Sequence, residues 1–188
     1  QQQQQQQPPP PPPPPPSPQD EPPDHANRGA ASASTASRRQ PTKRGALRVL
    51  VVDDTKTMAI IMGRQVERGE HGDVAHVVLS GTAALAELEA PLRAGRTPYD
   101  AVLLDVNMPD MSGHDVAQRV HAAARHGNVA PPHMIAVTAT MGAAARAAAL
   151  DSGMHAFLGK PFKDEALQQH LAAVRDQARR RDLHGPRL

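Results

Sequence analysis

Cysteine is absent from this chain of 188 residues. That excludes disulfides and thiolate chemistry, and it accords with a reducing compartment. No apolar stretch approaches the roughly 20 residues that span a bilayer, and the first residues lack the charged and apolar regions of a signal peptide. The expectation is a cytoplasmic, intracellular segment without membrane contact. Large aliphatic side chains are nearly missing from residues 1–45, which run "QQQQQQQPPPPPPPPPSPQDEPPDHANRGAASASTASRRQPTKRG". Such a segment cannot bury enough apolar surface to offset the entropy of ordering, so a disordered Gln/Pro-rich low-complexity arm with local polyproline II character is expected. The chain begins with Gln rather than Met, and it is expected to be the end of something longer.

From Ala46 to about Val174 the aliphatics arrive in regular blocks, which leaves room for one domain with an adequate core. The domain is placed at 46–178, with a basic flexible tail over 179–188. A sequence pI near 9.4 invites a nucleic-acid partner. Charge by segment argues against one. Residues 46–174 carry 11 Lys and Arg against 14 Asp and Glu, whereas the flanks carry 10 against 5. The basicity lies in solubilising termini, and no nucleic-acid contact is expected.

"LRVLVV" (47–52) is a Val/Leu run bounded by polar residues, the pattern of a strand covered on both faces. Met58, Ile61, Met62 and Val66 follow at helical spacing, and Gly69 with Gly72 end that helix. "VAHVVL" (74–79) with Ala84, Leu85 and Leu88 forms a second unit. Pro91 and Gly95 are expected to break its helix before the long connection "APLRAGRTPYD". "DAVLLD" precedes a helix carrying Val116 and Val120, "HMIAVTA" (133–139) precedes the Ala-rich "GAAARAAALDSG", and "HAFLGK" precedes a helix carrying Leu167, Leu171 and Val174. Five βα units in succession imply an α/β fold with a doubly wound parallel sheet, because right-handed crossovers place helices on its faces. The working edge of such a sheet lies beyond the carboxyl ends of its strands.

At those ends stand Asp53 and Asp54, Asp105, Thr138 and Lys160. Three carboxylates brought together repel one another and stay ionised together only if a cation intervenes. Oxygen ligands in an incomplete cage suit Mg²⁺, which keeps several waters and shares a phosphate. Lys160 and the Thr138 hydroxyl are positioned to neutralise and hydrogen-bond phosphoryl oxygens. A carboxylate needs no general base at neutral pH, so Asp105 is the expected nucleophile and acyl phosphate the expected product. Taken singly, a strand-end Asp is a cap or turn former, Thr138 an ordinary strand residue and Lys160 a surface lysine. Their joint occurrence in this order selects the phosphoryl reading.

The ordered set "VLVVDD", "AVLLDVNMPDMSG", "IAVTA" and "FLGKPF" resembles the receiver domain of two-component response regulators, including those at the carboxyl end of hybrid histidine kinases. The resemblance spans about residues 46–178 and implies a flavodoxin-like (βα)5 sheet in the order 2-1-3-4-5. It makes Asp105 the phosphoacceptor, Asp53 and Asp54 the Mg²⁺-holding pair, and Asn107 the residue that lends its backbone carbonyl to the metal. Thr138 corresponds to the hydroxyl switch, Ala139 to its phosphate-facing neighbour and Lys160 to the family's lysine, with a cis peptide before Pro161. Phe157 corresponds to the aromatic that moves with the threonine; as a bare residue it is equally a core aromatic. The implied function is a phosphoryl-accepting signalling switch. It is loaded from a phosphohistidine on a histidine kinase or histidine phosphotransfer protein, read by a protein partner, and catalytic in a limited sense, in self-phosphorylation and in hydrolysing its own acyl phosphate.

Two departures stand out. Thr55 replaces the Asn common after the acidic pair in hybrid-kinase receivers, and the interval from Asp54 to Asp105 is long, with the surplus expected in "EAPLRAGRTPYD". The expected context is the carboxyl-terminal receiver of a larger sensor kinase, against a stand-alone regulator. A haloacid-dehalogenase-like phosphatase would carry "DxD" at its nucleophile and a late acidic pair; here Asn107 holds the second position and the pair comes first. A degenerate receiver acting only as a binding module would have lost acids or lysine that are all present. A nucleotide-binding Rossmann domain would need a Gly-rich turn where "DDTKTM" stands. The histidines show no metal-ligand spacing.

Overall fold

A computed structural model describes residues 45–183, with side chains as far as residue 180. The expected arm before Gly45 and the last residues, 184–188, lie outside the described residues. Strands and helices alternate strictly: β1 (Arg48–Val52), α1 (Lys56–Glu67), β2 (Val74–Val78), α2 (Gly81–Arg93), β3 (Ala101–Asp105), α3 (Gly113–His126), β4 (His133–Thr138), α4 (Ala143–Asp151), β5 (Ala156–Gly159) and α5 (Asp164–Leu183). All pairings are parallel, in the order β2-β1-β3-β4-β5, as expected of a doubly wound flavodoxin-like sheet.

Alternation along the strands sorts the core into two layers. Leu50, Val52, Val102, Leu104, Met134 and Ala136 face one way, against Leu88 of α2, Val116 of α3 and Ala149 of α4. Val49, Val51, Leu103, Ile135 and Val137 face the other, against Met62 of α1 and Leu167 and Leu171 of α5. Both faces of β1, β3 and β4 are therefore dry, which is why these strands read as unbroken apolar runs. At the edge, β2 is only partly covered.

Three expectations need correction. Pro91 does not end α2: the helix continues through it to Arg93, because Leu92 beyond the proline is fully buried, and its packing outweighs the lost backbone donor. The connection is accordingly shorter than expected, residues 94–100, and it carries buried Tyr99, whose hydroxyl donates to Glu87 Oε2 at 3.1 Å. Ile61 does not belong to the inward stripe of α1. It is 44% exposed, and the buried face is Ala59, Met62, Gly63 and Val66, where Gly63 lets the helix close on Val77 of β2. At the carboxyl end α5 runs to Leu183, past residue 178.

Two features bind the end of the sheet opposite the conspicuous acids. Asp73 accepts the Leu47 N–H at 2.9 Å and pairs with the buried guanidinium of Arg175. His133 stacks on His155 at 4.6 Å between ring centroids, and His155 Nδ1 accepts the Met134 N–H.

Candidate functional site

The carboxyl ends of β1 and β3 place three carboxylates together. Oxygens of Asp53, Asp54 and Asp105 lie within 4.8 Å of one another. Asp53 is fully buried and Asp105 nearly so, while Asp54 is exposed at the mouth. From β5, across β4, Lys160 reaches both buried acids: its Nζ donates to Asp53 Oδ2 at 2.6 Å and to Asp105 Oδ2 at 2.8 Å. Burial works to lower the Lys160 pKa, but hydrogen bonds and charges from Asp105 and Asp53 together outweigh it and hold the ammonium above the ordinary lysine range. The Lys160–Pro161 peptide is cis, and the Lys160 N–H donates to the Thr138 carbonyl at 2.8 Å.

Thr138, the last residue of β4, is buried, and its Oγ1 accepts the Thr140 N–H at 3.1 Å with Asn107 Nδ2 3.5 Å away. Asn107 is exposed beside Asp105, donating its N–H to Asp105 Oδ1 at 3.2 Å. The Thr55 N–H makes the matching contact to Asp53 Oδ1 at 2.9 Å, so each acid is braced by the backbone two residues on. Ala139 is exposed directly after Thr138. Phe157 lies farther back, half-buried against the α2–α3–α4 layer, and pairs in register with Ala136. Asp53, Asp54, Asp105, Asn107, Thr138, Ala139 and Lys160 thus gather at one rim, with Phe157 behind it.

The donor set fits a hard divalent cation. It consists of oxygens only, from three acids whose mutual repulsion one ammonium relieves only in part, and with Asp54 open to solvent it leaves positions for water or a phosphate oxygen.

Two residues at the rim went unassigned in the sequence. Gly113 opens α3 against the backbone at the end of β3: a Cβ there would collide with the Asp105 carbonyl oxygen and lie 2.9 Å from Val106 Cα. Its signal was the Gly closing "NMPDMSG". Gly113→Ala is expected to push α3 off the β3 end and to lower stability by about 1–3 kcal/mol in urea unfolding, the usual size of an overpacking penalty. Asp110 caps α2 from the same loop, a partnership 28 residues back along the chain that no local pattern reveals.

The comparisons agree with this geometry. The family model described as response regulator receiver domain matches residues 49–172. The signal transduction histidine-protein kinase BarA of Escherichia coli K12 is 32% identical over 67% of this chain, yet the match spans only 12% of that kinase. Chemotaxis protein CheY1 of Helicobacter pylori is 29% identical over 68% of this chain and 96% of its own length. Among solved structures, a CheY-like receiver domain protein from Methanospirillum hungatei superposes with a TM-score of 0.58 at 21% identity, over 72% of this chain and 98% of its own. Among the described residues no helix is long and apolar enough to cross a membrane. With acids at the ends of β1 and β3, a hydroxyl at the end of β4 and a lysine after β5 on a 2-1-3-4-5 sheet, this chain belongs to the response regulator receiver domain family of two-component signalling.

Proposed function

We propose that this α/β domain is a phosphoryl-accepting switch in which Asp105 takes its phosphoryl group from a phosphohistidine on a histidine kinase or phosphotransfer protein. The observation that carries this reading is the Lys160 ammonium bridging Asp53 and Asp105 within a group of three acids. An Asp105 oxygen attacks phosphorus, the P–N bond breaks, and its electron pair returns to the imidazole, which recovers a proton. Asp53, Asp54, Asp105 and the Asn107 backbone carbonyl would hold Mg²⁺, which when bound offsets the negative charge of the acids and the incoming phosphoryl oxygens. Lys160 then exchanges part of its contact with Asp105 for a phosphoryl oxygen. Thr138 Oγ1 and the backbone at Ala139 donate to the others, so charge spread over the equatorial oxygens meets fixed donors. In the loaded state Thr138 turns toward the phosphoryl group, Phe157 moves into the space behind it, and a protein partner reads the altered β4–α4 and β5 surface. As a module covering 12% of a sensor kinase relative, the domain suits a place within a longer relay.

The test is incubation of the full chain with acetyl phosphate and Mg²⁺, followed by mapping of base-labile label. Label on Asp105 supports the reading. Rapid turnover of many phosphomonoesters with no retained label would point instead to a phosphatase. Thr138→Ala is expected to keep Asp105 labelling while slowing it by about tenfold or more, the weight of one hydrogen bond to a charged group, and to weaken partner binding to the loaded form.

A further inference from the structure

The first turn of α2 has orphan N–H groups to satisfy. Ser80 Oγ takes that of Ala83 at 3.0 Å. The N–H groups of Gly81 and Thr82 turn instead to a carboxylate on the β3–α3 loop: Asp110 accepts them at 3.2 and 2.9 Å, and the Thr82 hydroxyl adds a third bond at 2.9 Å. We propose that Asp110 is a positioning residue for the acidic rim, capping α2 from the loop and thereby holding Asn107 beside Asp105. The inference rests on the reading of Asp53, Asp54, Asp105 and the Asn107 carbonyl as the Mg²⁺-holding set.

Backbone bonds hold the start of the loop between Asp105 and Ser112, where Val106 donates its N–H to the Val137 carbonyl at 3.1 Å and accepts the Gly113 N–H at 2.9 Å; farther along, its shape depends on side-chain anchors. Met108 is buried and Met111 packs at the edge of the same layer. Ser112 ends the loop by capping α3, accepting the Asp115 N–H at 3.1 Å. Asn107 itself is exposed, and neither its N–H bond to Asp105 nor the 3.5 Å contact of its side-chain amide with Thr138 Oγ1 sets where its carbonyl points. Asp110 supplies the missing anchor, and α2 is a firm one. Gly81 is buried so tightly that a Cβ would lie 3.0 Å from Val116 Cγ2 and 3.1 Å from Met111 Cβ. The Thr82 amide holds the Asp110 carboxyl below the usual carboxylate range, against a weaker opposing effect of burial, with help from the Thr82 hydroxyl and the Gly81 amide. The bonds therefore persist through the whole neutral range. A helix N-terminus also favours the charge itself.

The experiment is an Mg²⁺ titration of the full chain followed by backbone amide chemical shifts, with no phosphodonor present. Asp110→Ala is expected to raise the half-saturating Mg²⁺ concentration about fivefold, the factor a lost cap represents in an equilibrium, and to speed hydrogen exchange at the Asn107 amide. Asp110→Asn, which keeps an acceptor oxygen, should stay within about twofold of wild type. Ser80→Ala weakens the same helix end without touching the loop and should leave the titration unmoved. Equal half-saturation in wild type and Asp110→Ala would overturn the proposal, as would a Ser80→Ala shift as large as that of Asp110→Ala. A wild-type chain that saturates with Mg²⁺ but takes no label from acetyl phosphate would sink the phosphoacceptor reading alone.

Discussion

Asp105→Asn is expected to abolish base-labile labelling outright while leaving the domain folded. The amide is no nucleophile at phosphorus under these conditions, and no other acid at the rim has the same surroundings. Asp53 is fully buried beneath Lys160, and Asp54 stands outside at the mouth. The amide oxygen still accepts from Lys160 Nζ, now 2.8 Å from Asp105 Oδ2, so the brace across the sheet survives. Removing one of three neighbouring charges also relieves repulsion. Thermal unfolding without Mg²⁺ should therefore occur no lower than in wild type. Mg²⁺ half-saturation should rise, because a carboxylate ligand has become a neutral amide. Phosphate-affinity gels and peptide mapping decide the matter: label retained in Asp105→Asn would remove Asp105 from its role.

Lys160→Met should be the single change at the rim that costs most stability. It leaves Asp53 and Asp105, both buried, without their shared cation, and stripping one partner from a buried ion pair costs about 3–5 kcal/mol. The loss should appear in urea unfolding without Mg²⁺ and shrink as Mg²⁺ is added, since a divalent ion at the three acids replaces part of the missing charge. Acceptance from acetyl phosphate should fall about a hundredfold or more, the scale on which a preorganised oxyanion donor acts. The pH dependence has a definite sign. A lysine whose folded pKa is raised contributes stability in full below its ordinary value, and that contribution is lost as pH climbs through the raised folded value. Wild type should thus lose stability in the alkaline range above the ordinary lysine pKa, and Lys160→Met should lack that component. Equal stability of the two proteins in Mg²⁺-free buffer at neutral pH would contradict the bridging role.

Periodicity sufficed wherever one physical demand governed a stretch. "VLVV" and "VLL" are dry on both sides, and only a central parallel strand asks for that. Where two demands competed, sequence pattern misled. Pro91 is a helix breaker taken alone, but Leu92 behind it is buried completely and holds the last turn in place. Ile61 fits the apolar spacing of α1, yet the sheet receives the small-residue side of that helix, and the choice is made by Val77 and Ala75 across the interface at Gly63. The histidines at 121, 133 and 155 show no spacing, and they stack because α3, β4 and the entry to β5 bring them together.

From the sequence by itself came the five βα units, the acids, hydroxyl and lysine that end four of the strands, and hence the expectation of phosphoryl chemistry, because strand ends in an alternating α/β chain converge by topology. Tertiary structure alone decided which acid is buried and which open, that one ammonium serves two carboxylates, and that Asp110 caps a helix begun nearly thirty residues earlier. Those are matters of distance between segments remote in the chain, and a pattern of neighbours carries no measure of such distances.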